Sequence, residues 1–266
     1  MNIRLLQIGF LSYLGLVGLD GCGDVGLYTA ASKIPAPNID DLGRRGVWLT
    51  DGHAASATCT PSRYPLMTVR YAWRTRLTAG VLMLLGEPLL EEQEQTVGDP
   101  LKSVGYSTGL VGKWHLEFHW PWRDGARPAD AQILPSRWIS EARNDQFDWS
   151  KPLLGGPTDA GFDYYFGDDV PNFPPYAWIE NDRIVADGLV DLPRSALIST
   201  GFSGGIHGSC PDQPGWQLDQ VVPMLVEKSV ACIQTHENAA QPFFLMVSLT
   251  SPHAPIVPTE EFDGTS

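Results

Sequence analysis

From Phe243 to Thr250 the chain reads Phe-Phe-Leu-Met-Val-Ser-Leu-Thr, a near-continuous apolar run directly after Pro242. A run of this kind reads as a strand packed inside a sheet, since strands covered on both faces lose the alternation of half-exposed ones. Ser107 to Val111 and Ile3 to Phe10 read the same way. Helix-like stretches separate these runs. Asp219 to His236 is predicted as a helix, with Val222, Leu225, Val226, Ala231 and Ile233 as its core-facing stripe. Strands alternating with helices predict an α/β fold with a mainly parallel sheet between helices, and catalytic groups in such sheets gather at the carboxyl ends of the strands.

The 266 residues, 43% hydrophobic and 18% charged, are enough for one or two cores. No linker is evident, so residues 1–266 are expected to form a single domain. With 27 glycines and 22 prolines, much of the chain lies in turns and loops, which argues against long bundles. Two irregular stretches, Phe118 to Pro175 and Pro193 to Gly215, are expected to cover a site or to be insertions. The net charge is -13, and no Lys/Arg-rich run is present, so no nucleic-acid partner is expected. An anionic small molecule can bind only where positive groups cluster locally. No apolar run is long enough to predict an integral membrane span. Asn2 to Leu19 fits either a signal-peptide core within residues 1–19 or a buried first strand. The first alternative points to a secreted, periplasmic or lysosomal-type compartment, and the second leaves the cytoplasm open. Cys22, Cys59, Cys210 and Cys232 are too few and too scattered to form a disulfide framework or a zinc site.

Chemistry concentrates in Ala57-Thr58-Cys59-Thr60-Pro61-Ser62-Arg63. Pro61 suits the first position of a helix and Thr60 its N-cap, which puts Cys59 just ahead of a positive helix end. Arg63, one turn in, can aim its guanidinium back over the same spot and offer several donors to an oxyanion. The residues alone describe an anion-binding helix start with a sulfur atom in it.

Cys59-Thr60-Pro61-Ser62-Arg63 resembles the sulfatase signature, whose cysteine is oxidised to formylglycine by a maturation enzyme. Gly105 to His115, ending Gly112-Lys113-Trp114-His115, is similar to the second sulfatase signature, and Ser251-Pro252-His253-Ala254-Pro255 to the family's sulfate-contacting histidine loop. Pro37 to Asp40 and Gly161 to Tyr164 also match segments typical of the family. The resemblance implies the alkaline-phosphatase-like α/β fold and hydrolysis of a sulfate ester, from an aryl or other small molecule or a sulfated carbohydrate. A hydrated aldehyde made from Cys59 would attack sulfur. Arg63, Lys113, His115 and His253 would share sulfate binding and protonation of the leaving oxygen. A formylglycine-generating or other sulfatase-maturing enzyme would be a partner. Formylglycine-dependent phosphonate or phosphodiester hydrolysis, or anion binding without catalysis, are the competing readings.

The resemblance also implies one calcium ion, held by two adjacent N-terminal aspartates, the formylglycine at position 59 and a later Asp-Asn pair. The two aspartate positions line up with Gly18 and Leu19 here, leaving Asp20 and Asp24 as the nearest carboxylates, and the later pair is expected beyond Ser266. Other departures are local. Gly167 to Tyr176 lacks the serine that the family supplies to sulfate, and Glu117 stands where glycine is usual and is expected to repel a sulfate ester. Pro65 should weaken the signature helix and Val69 should cap it poorly, while Gly98 and Pro100 should harm the helix before Gly105.

Overall fold

The structure, a computed structural model, describes residues 25–83, 85–127, 143–191, 211–251, 253 and 256–264. The predicted strand Ile3 to Phe10, the targeting segment 1–19 and the candidate ligands Asp20 and Asp24 lie outside them.

The main sheet has five strands in the order β4-β3-β2-β1-β7. They are β1 (Ser107–Gly112), β2 (Tyr164–Gly167), β3 (Ile179–Glu180), β4 (Arg183–Ile184) and β7 (Phe243–Ser248). A separate ribbon pairs β5 (Val190–Asp191) with β6 (Pro211–Asp212). The strand β1 runs parallel to both neighbours, with Leu110 opposite Tyr165 and Met246. The strands β3 and β4 extend the sheet antiparallel beyond β2. The parallel α/β expectation therefore holds for the central strands. Within the sheet as described β7 is an edge strand, and its residues alternate between buried Phe244, Met246 and Ser248 and half-buried Phe243, Leu245 and Val247. The strand β2 lies inside the stretch expected to be irregular.

Each face of the sheet carries its own core. Leu110, Tyr165, Ile179, Phe244 and Met246 pack with Tyr64, Met67, Trp114 and Phe118 on one face. Val111 and Phe166 pack with Trp178, Trp216, Val221 and Leu225 on the other. Helices α1 (Pro37–Arg45), α2 (Cys59–Thr68), α3 (Gly98–Ser103) and α4 (Val221–His236) complete the fold among the described residues. No helix among them is long and apolar enough to cross a membrane.

Two sequence expectations are corrected here. Helix α4 buries Val221, Leu225 and Ser229, while Val226, Val230 and Ile233 are close to half exposed, so its inner face is turned from the predicted stripe. Ser229 is tolerated inside because its hydroxyl donates to the Leu225 carbonyl. Gly98 and Pro100 do not harm α3. The helix begins at Gly98, so Pro100 sits in the first turn, where the missing N–H has no helical acceptor to lose. A Cβ at Gly98 would lie 2.4 Å from the Gly161 carbonyl oxygen, so glycine is what lets α3 approach the loop before β2.

Candidate active site

Helix α2 begins at Cys59, two residues earlier than the sequence suggests. Thr58 is the N-cap, in extended conformation, and its carbonyl accepts the Ser62 N–H at 3.1 Å. Cys59 is thus inside the first turn, where unpaired N–H groups give a positive end. Pro65 sits inside the helix, which nevertheless continues to Thr68. Tertiary packing holds it, since Thr60, Tyr64 and Met67 are buried against the sheet. The helix closes on Val69 at φ 59°, a left-handed position for a β-branched residue.

The second signature forms β1 and the turn after it. Gly112 has φ 123°, and a Cβ there would lie 2.0 Å from the Ser248 carbonyl oxygen, so β1 can end this close to β7 only with glycine. The Lys113 N–H then donates to that carbonyl at 2.8 Å. Trp114 turns into the core and its indole donates to the Glu117 carbonyl at 3.0 Å. Lys113 Nζ lies 3.4 Å from Cys59 Sγ. Arg63, half-buried, donates from Nη1 to the Lys113 carbonyl at 2.7 Å and to the Ser248 hydroxyl. That nitrogen braces the ends of β1 and β7 against α2.

His115 is buried with its backbone in the left-handed region, φ 54°. Three contacts hold it. Its N–H donates to Asp169 Oδ1 at 2.8 Å, its carbonyl accepts the Thr60 hydroxyl at 3.2 Å, and its Nε2 meets the Leu82 carbonyl at 3.0 Å. Thr60, expected as an N-cap, instead lies within α2 and ties that helix to His115, while also accepting the Leu82 N–H at 3.1 Å. His253 lies beyond β7, its N–H donating to the Thr250 carbonyl. With Lys113, Asn172, Thr250 and Ser251 it lines a cleft whose other wall is Leu218, Val222 and Val257. Asn172 stands in the segment that lacks the family's serine.

The electrostatics follow from two cations, buried Lys113 and half-buried Arg63, beside one sulfur. Burial is the largest influence on Cys59 and pushes its thiol up. Hydrogen bonds with His115 and His253 and the charges of Lys113 and His115 together outweigh it, bringing the pKa down to about 4. Burial, then the Arg63 charge, lowers Lys113 to about 8, against support from Cys59 and Asp169. Burial and the Lys113 charge lower His115 to about 4. At pH 7 Lys113 is therefore mostly charged and His115 neutral. With its Nε2 proton on the Leu82 carbonyl, His115 turns its other ring nitrogen, Nδ1, towards Cys59.

Glu117 does not face the cleft. Its side chain accepts the Trp120 indole N–H at 2.8 Å in the aromatic core. Burial, then the charge of Asp169, holds its carboxyl well above the usual range, so the expected repulsion of a sulfate ester is corrected by its direction and its protonation.

A sulfatase family model matches residues 16–266. The chain belongs to the sulfatase family. It is 28% identical over 265 residues to an N-acetylgalactosamine-6-O-sulfatase of Bacteroides thetaiotaomicron, covering 92% of this chain and 48% of that protein. Arylsulfatase G of Canis lupus familiaris is 30% identical over 254 residues, covering 90% of this chain and 40% of its own length. A solved structure from work on the metabolism of multiple glycosaminoglycans by Bacteroides thetaiotaomicron superposes with a TM-score of 0.70 at 27% identity, covering 92% of this chain and 51% of that one. The sulfatase chain described here thus spans about half the length of the curated relatives it matches.

Within this sulfatase chain, Cys59, Arg63, Lys113, His115 and His253 converge from α2 and the ends of β1 and β7. Sequence reasoning misses a second layer behind them. Asp168 and Asp169 follow β2 and are fully buried. Burial raises both carboxyls, Asp169 to about 7 against the His115 N–H and the charges of Lys113 and Arg63. The available signal was an acidic pair directly after an apolar strand, at the carboxyl edge of the sheet. Among the described residues no three His, Cys, Asp or Glu side chains are grouped so as to hold a metal ion. The groups nearest Cys59 are a lysine and histidines, not the hard oxygen donors calcium takes. The described residues therefore do not by themselves fit a calcium site, and no step is assigned to one.

Proposed function

We propose that this chain supplies the nucleophile-bearing half of a sulfuric ester hydrolase of arylsulfatase type, acting through formylglycine made from Cys59. The observation that carries the reading is Lys113 Nζ at 3.4 Å from Cys59 Sγ, with His115 and His253 in hydrogen-bonding reach of the same sulfur at a helix start. Formylglycine, once made, supplies a hydroxyl as nucleophile. The residues of this chain supply the rest. Lys113 offers charge-assisted donors to the sulfuryl oxygens, with Arg63 adding a fixed positive charge behind it. His115, neutral and with Nδ1 facing Cys59, accepts a proton at position 59. His253, which lines the cleft, would act as the acid towards the leaving oxygen. The cleft, with Lys113, Asn172, Thr250, Ser251 and His253 facing Leu218, Val222 and Val257, fits a sulfated sugar. The curated relative named above acts on N-acetylgalactosamine-6-O-sulfate by its name, in line with that choice.

The test is coexpression with a formylglycine-generating enzyme, which would read Cys59-Thr60-Pro61-Ser62-Arg63. Mass spectrometry of the Cys59 peptide should show conversion of thiol to aldehyde, and the converted protein should cleave an aryl sulfate faster than the matching phosphate ester. An intact thiol, under conditions that convert a control sulfatase, overturns the formylglycine assignment. Preference for the phosphate ester would favour a phosphodiester or phosphonate hydrolase. Sulfate binding with no turnover of either ester would leave an anion-binding protein.

A further inference from the structure

We propose that Asp169 is a positioning residue: with Thr60 it clamps His115 in a left-handed backbone conformation, so that the ring nitrogen Nδ1 is presented to position 59. This deepens the proposed function above and rests on it for its catalytic meaning. The clamp itself rests only on geometry. A residue with a Cβ avoids φ near 54°, because the Cβ then crowds the following carbonyl, so His115 needs outside contacts to remain there. Three chain segments supply them. Asp169 takes the N–H, Thr60 of α2 takes the carbonyl, and the Leu82 carbonyl takes Nε2. The last contact fixes the tautomer and leaves Nδ1 as the ring atom that faces Cys59.

Asp169 also carries charge beside Lys113 and Arg63, which asparagine would lack, so Asp169→Asn separates that charge from the acceptor the clamp needs. Among the described residues its contact with the His115 N–H is the one hydrogen bond the carboxylate makes, and Oδ2 is buried without a partner. An apolar residue would fill the same space at less desolvation cost, so the position provides an acceptor for the His115 N–H as well as a charge. Asp169 also follows directly on β2, which gives the clamp a rigid base.

The test uses the whole 15N-labelled chain and long-range proton–nitrogen NMR of the imidazole rings, with His115→Gln to assign the His115 signals. The unaltered protein should show His115 as one tautomer, protonated at Nε2. Asp169→Asn, which keeps an oxygen for the N–H, should preserve that pattern. Asp169→Ala should replace it with averaged ring signals. A folded Asp169→Ala protein with unchanged His115 signals overturns the proposal. So does an Asp169→Asn protein with averaged signals, which decides the matter even if Asp169→Ala does not fold. In converted protein, Asp169→Ala should lower kcat on an aryl sulfate at least about tenfold with little change in KM, and Asp169→Asn should restore most of it. Equal loss of kcat in both variants also overturns it. If the converted parent cleaves no sulfate ester, the functional reading fails, while the ring signals still report on the clamp.

Discussion

Val69 closes the signature helix in a conformation that its side chain opposes, and replacing it with glycine should stabilise the protein. At φ 59° and ψ 20° an L-residue carries about 1 to 2 kcal/mol of strain, and a β-branched side chain belongs at the upper end of that range. Glycine removes the strain but loses about 0.5 to 1 kcal/mol in chain entropy on folding. The side chain itself contributes almost nothing to burial, because Val69 is 93% exposed. Its N–H bond to the Pro65 carbonyl, 2.8 Å, survives the change. The net expectation for Val69→Gly is a gain of about 1 kcal/mol, read by urea titration as a higher midpoint at unchanged slope, or as a rise in Tm of about 2 to 3 °C. Val69→Ala keeps the Cβ and loses only the branch, so it should recover a minor part of the gain. A Val69→Gly protein no more stable than its parent would refute the argument, and equal gains from alanine and glycine would assign the strain to branching alone.

Further expectations concern the site. Cys59→Ser should bind inorganic sulfate about 10- to 100-fold more tightly than the unconverted parent by calorimetry, because a thiolate a few ångströms from the anion repels it by roughly 1 to 3 kcal/mol after screening; equal affinity would mean that Cys59 is not charged. Iodoacetamide should alkylate Cys59 at a nearly constant rate from pH 5 to 8, since its thiol already ionises at about 4, while Cys232, raised by burial, stays slow below its ordinary 9.0. The same depressed pKa adds folding stability that is complete above the ordinary 9.0 and is lost as pH falls towards 4, so Cys59→Ser should flatten that part of the urea-midpoint profile. Gly112→Ala should cost about 3 kcal/mol or more, because a Cβ 2.0 Å from the Ser248 carbonyl oxygen forces β1 and β7 apart beside Lys113; a circular dichroism melt within 2 °C of the parent would contradict it.

The parts of this architecture that sequence pattern reaches are those where one signal dominates. Strands β1 and β7 are apolar enough to be read directly, and Lys113-Trp114-His115 alternates as a strand end does, so two polar side chains and one core indole follow from the pattern. The short strand β2 is hidden between Asp163 and Asp168, where polar neighbours interrupt its apolar residues. The facing of α4 is misread because valines are counted as core while Ser229, satisfied by the Leu225 carbonyl, takes the inner position. Helix α2 starts at Cys59 because Thr60 is more useful to His115 and Leu82 than to its own helix end, a tertiary choice that a local capping rule does not see. For Asp168 and Asp169 the difficulty is of another kind. Acidic residues in a loop are normally solvated, and nothing local says that these two lie beneath Lys113 and Arg63.

Those two cations connect the layers. Lys113 is buried and Arg63 half-buried, burial lowers the proton affinity of both, and the Arg63 charge lowers that of Lys113 further, so the cluster is stable only with negative groups beside it. In the unconverted chain Cys59, ionised, is one such group and Asp169 is the other. The conversion proposed for Cys59 deletes a negative charge from the centre of this arrangement and leaves the cations in place. The charge that then best completes the site is an anionic group at position 59, which is where the sulfuryl oxygens of an ester would come. The proposed modification, in providing a nucleophile, would thus also remove the internal anion that competes with a sulfate ester, and a local excess of positive charge can attract an anion in spite of a net charge of -13 on the whole chain. On the proposed function, Asp169 would remain behind the cluster, moderating the cations without occupying the place of the ester, and its hold on the His115 N–H would keep that ring turned towards position 59.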